Sequence, residues 1–137
     1  MPVKLDQTEK KLLYFFYTYG KAVSRRRIHE LIYKLQNEYG VKLGFTFVGQ
    51  VPYSKNLDEK LEHLVQKGFL KIIYSTGGNY LNLYKPYYKL TERGARIASK
   101  SDFSQTDKEA IDKMVSSLQV QKQQGAKRGH SNNSDLS

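Results

Sequence analysis

The sequence predicts a mainly α-helical α+β fold, and three observations carry that expectation. Apolar residues recur at helical spacing in three successive stretches between residues 7 and 67. Two β-prone runs then flank a Gly77-Gly78 turn, the pattern of a hairpin. A further striped helix follows residue 106. With 137 residues, 39% of them hydrophobic, the chain can bury one modest core. The expected organisation is a folded domain over 1–99, a C-terminal helical segment over 100–121 and a disordered polar tail over 122–137.

The elements follow in order. Asp6 and Glu9 have the spacing of a capping box, and Gly20 is a good stop, so the first helix should span about 7–19. Leu12, Leu13, Phe15, Phe16 and Tyr19 make it apolar on nearly all sides, as befits a central helix. Ser24 caps a second helix over about 25–39, with Ile28, Leu31, Ile32, Leu35 and Tyr39 on one face. Residues 40–53 carry three glycines and a proline, and predict an irregular connection with a short extended piece. Ser54 caps a third helix over about 55–67, striped by Leu57, Leu61, Leu64 and Val65. The hairpin strands follow as 69–74 and 80–90, with Pro86 at an edge or bulge. Thr91 caps a short helix over 92–99, which Gly94 should weaken. Thr106 and Glu109 then open a helix over about 107–121.

Composition narrows the function classes. The chain has no cysteine, so disulfides and thiolate metal sites are excluded. No apolar run reaches the roughly 20 residues of a membrane span, and no signal-peptide core follows the N-terminus, so a cytoplasmic protein is expected. Asn132-Asn133-Ser134 matches a glycosylation sequon, by chance in a polar tail. His29, His63 and His130 lie far apart, and no metal site or cofactor is expected. Catalytic signatures for nucleophilic or phosphate chemistry are absent, so an enzyme is not expected. Asp58 and Glu59 are neighbours on a helix and point about 100° apart, which reads as two solvated carboxylates.

The net charge is +10, a balance that favours a polyanionic partner. Its distribution is uneven. Residues 1–53 and 71–100 each contribute +5, residues 54–70 are neutral, and residues 101–121 are −2. The cations therefore belong to two stretches of the folded part, on either side of a neutral third helix.

Three helices followed by a β-hairpin is the order of a winged helix-turn-helix. The stretch SKNLDEKLEHLVQKGFLKIIY and the returning YYKLTERGARIA resemble the third helix, wing and post-wing segment of MarR- and PadR-like transcription regulators. Tyr88, Leu90, Thr91 and Gly94 carry the wing's closing motif, and the resemblance covers roughly residues 7–98. It implies double-stranded DNA as partner and a homodimer formed by terminal helices.

An α-helix fits the major groove, where each base pair shows its own donors and acceptors. The solvent side of the third helix carries Lys55, Asn56, Glu59, Glu62, His63 and Gln66. Asn56 and Gln66 can pair with adenine, Lys55 with guanine or phosphate, and Glu59 can accept from cytosine; His63 shares that face. Two acids there leave open that this helix packs on a protein partner instead. Arg25, Arg26 and Arg27 read as a phosphate clamp or as a solvated first turn, although three cations oppose the helix dipole. Lys71, Lys85, Asn79 and Tyr80 are the wing's candidate contacts, the last two at its tip. Beside sequence-specific regulation stand two alternatives, a nucleic-acid accessory factor and a protein-interaction module. Ile111, Met114, Val115 and Leu118 form a narrow apolar stripe, which matches a helix-pairing seam. By resemblance it is the dimer interface; otherwise it folds back on its own domain.

Overall fold

Capping chemistry places the helices close to where the sequence puts them. The computed structural model describes residues 5–75 and 85–130, apart from the side chains of Ser75 and residues 120–130. Helix α1 spans Gln7–Tyr19; Asp6 accepts from the Glu9 amide and Glu9 returns the bond to the Asp6 amide. Gly20 ends it at φ 76°, a conformation an L side chain resists, and its amide reaches back to the Phe16 carbonyl. A two-residue strand β1 (Val23–Ser24) leads directly into α2 (Arg25–Asn37). Helix α3 spans Lys55–Gln66, and the hairpin is β2 (Leu70–Ser75) with β3 (Lys85–Leu90). Helices α4 (Glu92–Ala98) and α5 (Gln105–His130) follow.

The chain is thus α+β and mainly helical, with a small antiparallel sheet of order β1-β3-β2, a layout compatible with a winged helix. Strand β1 is absent from the sequence-based reading, because two residues hold no pattern. It pairs Val23 with Tyr88 and Ser24 with Tyr87, which makes β3 central. Pro86 lies just beyond β1, opposite Tyr74 of β2, so β3 has an edge where the proline offers no donor.

One core joins every element. Leu12, Leu13, Phe15 and Phe16 of α1 are fully enclosed, as the all-round apolar pattern requires. They meet Ile28, Leu31, Ile32 and Leu35 of α2, Leu57, Leu61 and Leu64 of α3, and Phe69, Leu70 and Tyr88 from the sheet side. The irregular connection joins them too. Val41, Leu43 and Phe45 are buried, and the Gln36 side chain holds both the amide and the carbonyl of Phe45 at 2.9 and 2.8 Å.

The Leu-Thr-x-x-Gly motif after the hairpin has a structural cause. Thr91 caps α4 by accepting from the Gly94 amide at 3.0 Å, and its hydroxyl donates to the Gly68 carbonyl at 2.7 Å. Gly94 lies so close to the hairpin that a Cβ there would collide with the Phe69 carbonyl oxygen. The glycine that weakens the helix is what lets it approach.

The expected dimer seam needs correction. Ile111 and Met114 are fully buried, Val115 nearly so, and Leu118 is partly buried against the same core. The stripe packs within its own chain, where the helix lies against α1 and α2. Two polar contacts fix it there. Asp107 meets Lys11 at 2.8 Å with both side chains about nine-tenths enclosed, and Asp112 accepts from the Tyr14 hydroxyl at 2.6 Å. The helix also starts two residues before the expected point, with Thr106 inside it, and runs to His130 where a tail was expected from 122. Residues 131–137 lie outside the described residues. Among the described residues no helix is long and apolar enough to cross a membrane.

Candidate nucleic-acid interface

Two serine caps build the site. Ser24 accepts from the Arg27 amide at 3.1 Å, which sets Arg25, Arg26 and Arg27 in the first turn of α2. Ser54 accepts from the Leu57 amide at 3.2 Å and starts α3. The Ser54 amide in turn donates to His29 Nδ1 at 3.1 Å, and both residues are buried. That bond assigns the imidazole tautomer: Nδ1 accepts, so the proton sits on Nε2. Nε2 faces Asp58 Oδ1 at 3.4 Å. Asp58 also takes the Arg25 guanidinium through both oxygens, with Nε at 2.8 Å from Oδ1. The starts of α2 and α3 are thereby locked together.

The electrostatics of this knot follow from burial and charge. Burial pulls the His29 imidazole below its ordinary value; Asp58 pulls the other way and the Arg25 charge adds to the lowering. Burial alone would raise the Asp58 carboxyl, but its bonds to Arg25, the Arg25 charge and His29 hold it below the usual range. Arg25 is held above its ordinary value, chiefly by its bond to Asp58. Burial, assisted by the Asp58 charge, pushes the Tyr88 phenol up to about 12, so it stays neutral. The sequence places Asp58 at the solvated surface. It is instead the half-buried acceptor of this knot, while Glu59 is exposed.

Lys55, Asn56, Glu59, Glu62, His63 and Gln66 are all exposed, so the outer side of α3 is free as the helical spacing requires. The other lysines in and just after α3 are engaged elsewhere. Lys60 binds Asp6 at 2.7 Å and Lys67 binds Glu9 at 2.9 Å, both at the start of α1. Beside α3, further positive charge comes from the start of α2, where Arg25 bonds Asp58. Arg26 is exposed and makes no ion pair among the described residues, whereas Arg27 has Glu30 at 3.7 Å. Arg25 keeps about half of its side chain exposed while bonded to Asp58, so it serves the fold as well as the surface.

An open pocket of about 550 Å³ brings these pieces together. Its walls are Ser24, Arg25, Arg26 and His29 from the start of α2, Val51, Pro52 and Tyr53 from the connection, and Lys85 and Pro86 from β3. Tyr53 stacks on His29 with ring centroids 4.7 Å apart and planes at 22°. The connection folds over at this point through a Val48–Tyr53 bridge. Lys71 is not part of this assembly. It is exposed on the sheet face opposite the core-facing Leu70 and Ile72, with Lys89 as its cross-strand neighbour. Lys85 shares that face, its ammonium 5.7 Å from the Tyr87 ring centroid, but it also borders the pocket at the rim. Asn79 and Tyr80 lie outside the described residues.

Sequence reasoning missed His29, Asp58, Val51, Pro52, Tyr53 and Pro86. One signal was available: His29 follows the buried Ile28 in a helix whose exposed face carries Arg26 and Glu30. Among the described residues, no group of three or more His, Asp or Glu side chains is arranged to hold a metal ion.

No family model matches the sequence, and no solved structure matches it. Among curated proteins, the chain is similar to the uncharacterized protein YwgA of Bacillus subtilis (strain 168). The two are 31% identical over 100 residues, which is 71% of this chain and 57% of YwgA, so the chain spans little more than half the length of that relative.

Proposed function

We propose that this chain binds double-stranded DNA through the outer side of α3, and that it acts as a sequence-reading transcription regulator. The observation that carries the reading is that Arg25 and Arg26 border the same open surface as Lys85, 59 or more residues away in sequence, at the 51–53 turn that leads into α3. Phosphate contacts from such cations position a protein on the duplex, and a polar helix face reads base edges. Asn56 and Gln66 are the adenine readers in this reading, Lys55 reaches guanine or phosphate, and Glu59 accepts from cytosine. Arg26 and Lys85 hold phosphates; Arg25 divides its guanidinium between Asp58 and the backbone. The protein is a binding protein rather than an enzyme, acting in the cytoplasm.

Two copies on a palindromic site belong to the proposal, since two-fold symmetry suits such sites. Their contact lies elsewhere than on Ile111, Met114, Val115 and Leu118, which the core consumes. Sedimentation of the DNA complex counts the copies.

The test is selection from a random duplex library followed by titration in competitor DNA. The reading expects an enriched motif, and Asn56→Ala should change preference at one base position by about 1–3 kcal/mol. Binding without any enriched motif would favour an accessory factor with little base selectivity. No binding even at low salt would favour a protein-interaction module.

A further inference from the structure

We propose that the pocket between α2, the 51–53 turn and β3 takes an unpaired nucleotide of the bound nucleic acid, its base against Tyr53 and its phosphate at Arg26 on the rim. This rests on the nucleic-acid reading and extends it from the paired bases to a nucleotide outside the stack.

A continuous duplex needs cations and a polar helix face, and neither requires an apolar hollow. Here the hollow lies between the cations. Val51, Pro52, Tyr53 and Pro86 supply its apolar surface, and Arg26 supplies the positive charge, with Arg25 held by Asp58 beside it and Lys85 at the rim. Val51 and Tyr53 are 44% and 40% exposed, so the apolar wall is open to an occupant. At about 550 Å³ the space falls within the roughly 300–1,000 Å³ of small-ligand pockets.

The aromatic wall is held in place beforehand. His29 is buried, its Nδ1 is bonded to the Ser54 amide, and its ring backs Tyr53 at 4.7 Å. A ring fixed in this way loses little freedom when a base stacks on it. Charge selects the occupant. An apolar peptide side chain fits the hollow without using the positive rim, and an inorganic anion uses the rim without the apolar wall. A nucleotide uses both, because its phosphate is anionic and every base has a flat π-face.

The experiment is fluorescence anisotropy of the whole chain with four probes. One is a blunt duplex, and two are the same duplex with three unpaired nucleotides at either the 5′ or the 3′ end. The fourth carries abasic sites in place of those unpaired bases, which keeps the phosphates. At least one overhang should bind about tenfold tighter than the blunt duplex, in line with one base stacked on an aromatic ring. The abasic version should lose that gain. Tyr53→Ala should abolish the preference, read as the ratio of overhang to blunt-duplex affinity, and Tyr53→Phe should keep that ratio. Equal binding of blunt and overhanging probes overturns the nucleotide pocket and leaves duplex binding standing. A gain that survives in the abasic probe overturns it as well, since charge alone then explains the effect. Displacement of every probe by free mononucleotide, with no preference among them, assigns the pocket to a soluble ligand and overturns the proposal. Binding of no probe at all overturns both readings.

Discussion

The two sides of this molecule treat charge in opposite ways. Where α5 meets α1, carboxylates are bonded within the fold: Asp107 pairs with Lys11 and Asp112 accepts from the Tyr14 hydroxyl, over a seam of Ile111, Met114 and Val115. Where α2, the 51–53 turn and β3 meet, Arg26 and Lys85 stand exposed around an open pocket, and Lys55 is exposed at the start of α3. The acidic C-terminal segment and the basic folded part are therefore different devices, one closing the core and the other presenting a surface. Net charge alone would have treated them as one number.

Substitutions should separate the two sides, and the largest effect belongs to the closed one. Ile111→Ala removes a fully buried side chain and should cost about 2–5 kcal/mol in urea unfolding. DNA affinity of the folded protein should not change; a loss of affinity in folded protein would tie α5 to the interface after all. Gly94→Ala should come next. Its new methyl would collide with the Phe69 carbonyl, so the hairpin or α4 must shift, at about 1–3 kcal/mol.

A smaller effect belongs to the open side. Arg26→Ala with Lys85→Ala should leave the urea midpoint unchanged, because neither side chain is buried. The pair should weaken binding of all duplex sequences alike and lower the salt slope by about 1 for each phosphate that is no longer neutralised. An unchanged slope would remove these two residues from the interface.

The least effect is that of mild acid, and it acts where the two helices are locked. The folded value of His29 lies below its ordinary value of 6.5, so the unfolded chain takes up the proton first. Stability should be level above about pH 6.5 and fall as the pH drops towards the folded value. Protonation also turns Nδ1 from acceptor to donor and breaks the bond from the Ser54 amide. Asp58 has a folded value below 3.8, so its contribution is lost only in stronger acid. Urea midpoints between pH 7.5 and 5 should show the decline, and His29→Gln should flatten it.

How much of this was legible depended on range. The helices were readable because caps and stripes are local: Asp6 with Glu9, Ser24 and Ser54 each act within one turn. The outer face of α3 followed from its 100° spacing, and every residue expected there is exposed. The apolar stripe of α5 was equally plain, but a stripe says that a helix packs and not on what. The connection over 40–53 was opaque for a physical reason. Its shape is imposed by distant partners, through Gln36 on Phe45 and through the burial of Val41 and Leu43. That segment makes half of the pocket, so the pocket was hidden with it. The role of Asp58 was hidden for the same reason, since its partners Arg25 and His29 lie a helix away.

The most direct measurement is the salt dependence of duplex binding for two variants that each lose two charges. One removes Arg26 and Lys85 from the open side; the other removes Lys100 and Lys113, both exposed near or on α5. If the surface beside α3 binds DNA, only the first variant should lose affinity, with a flatter plot of log K against log salt. Equal losses in both would show that total charge, and not this surface, attracts the polyanion.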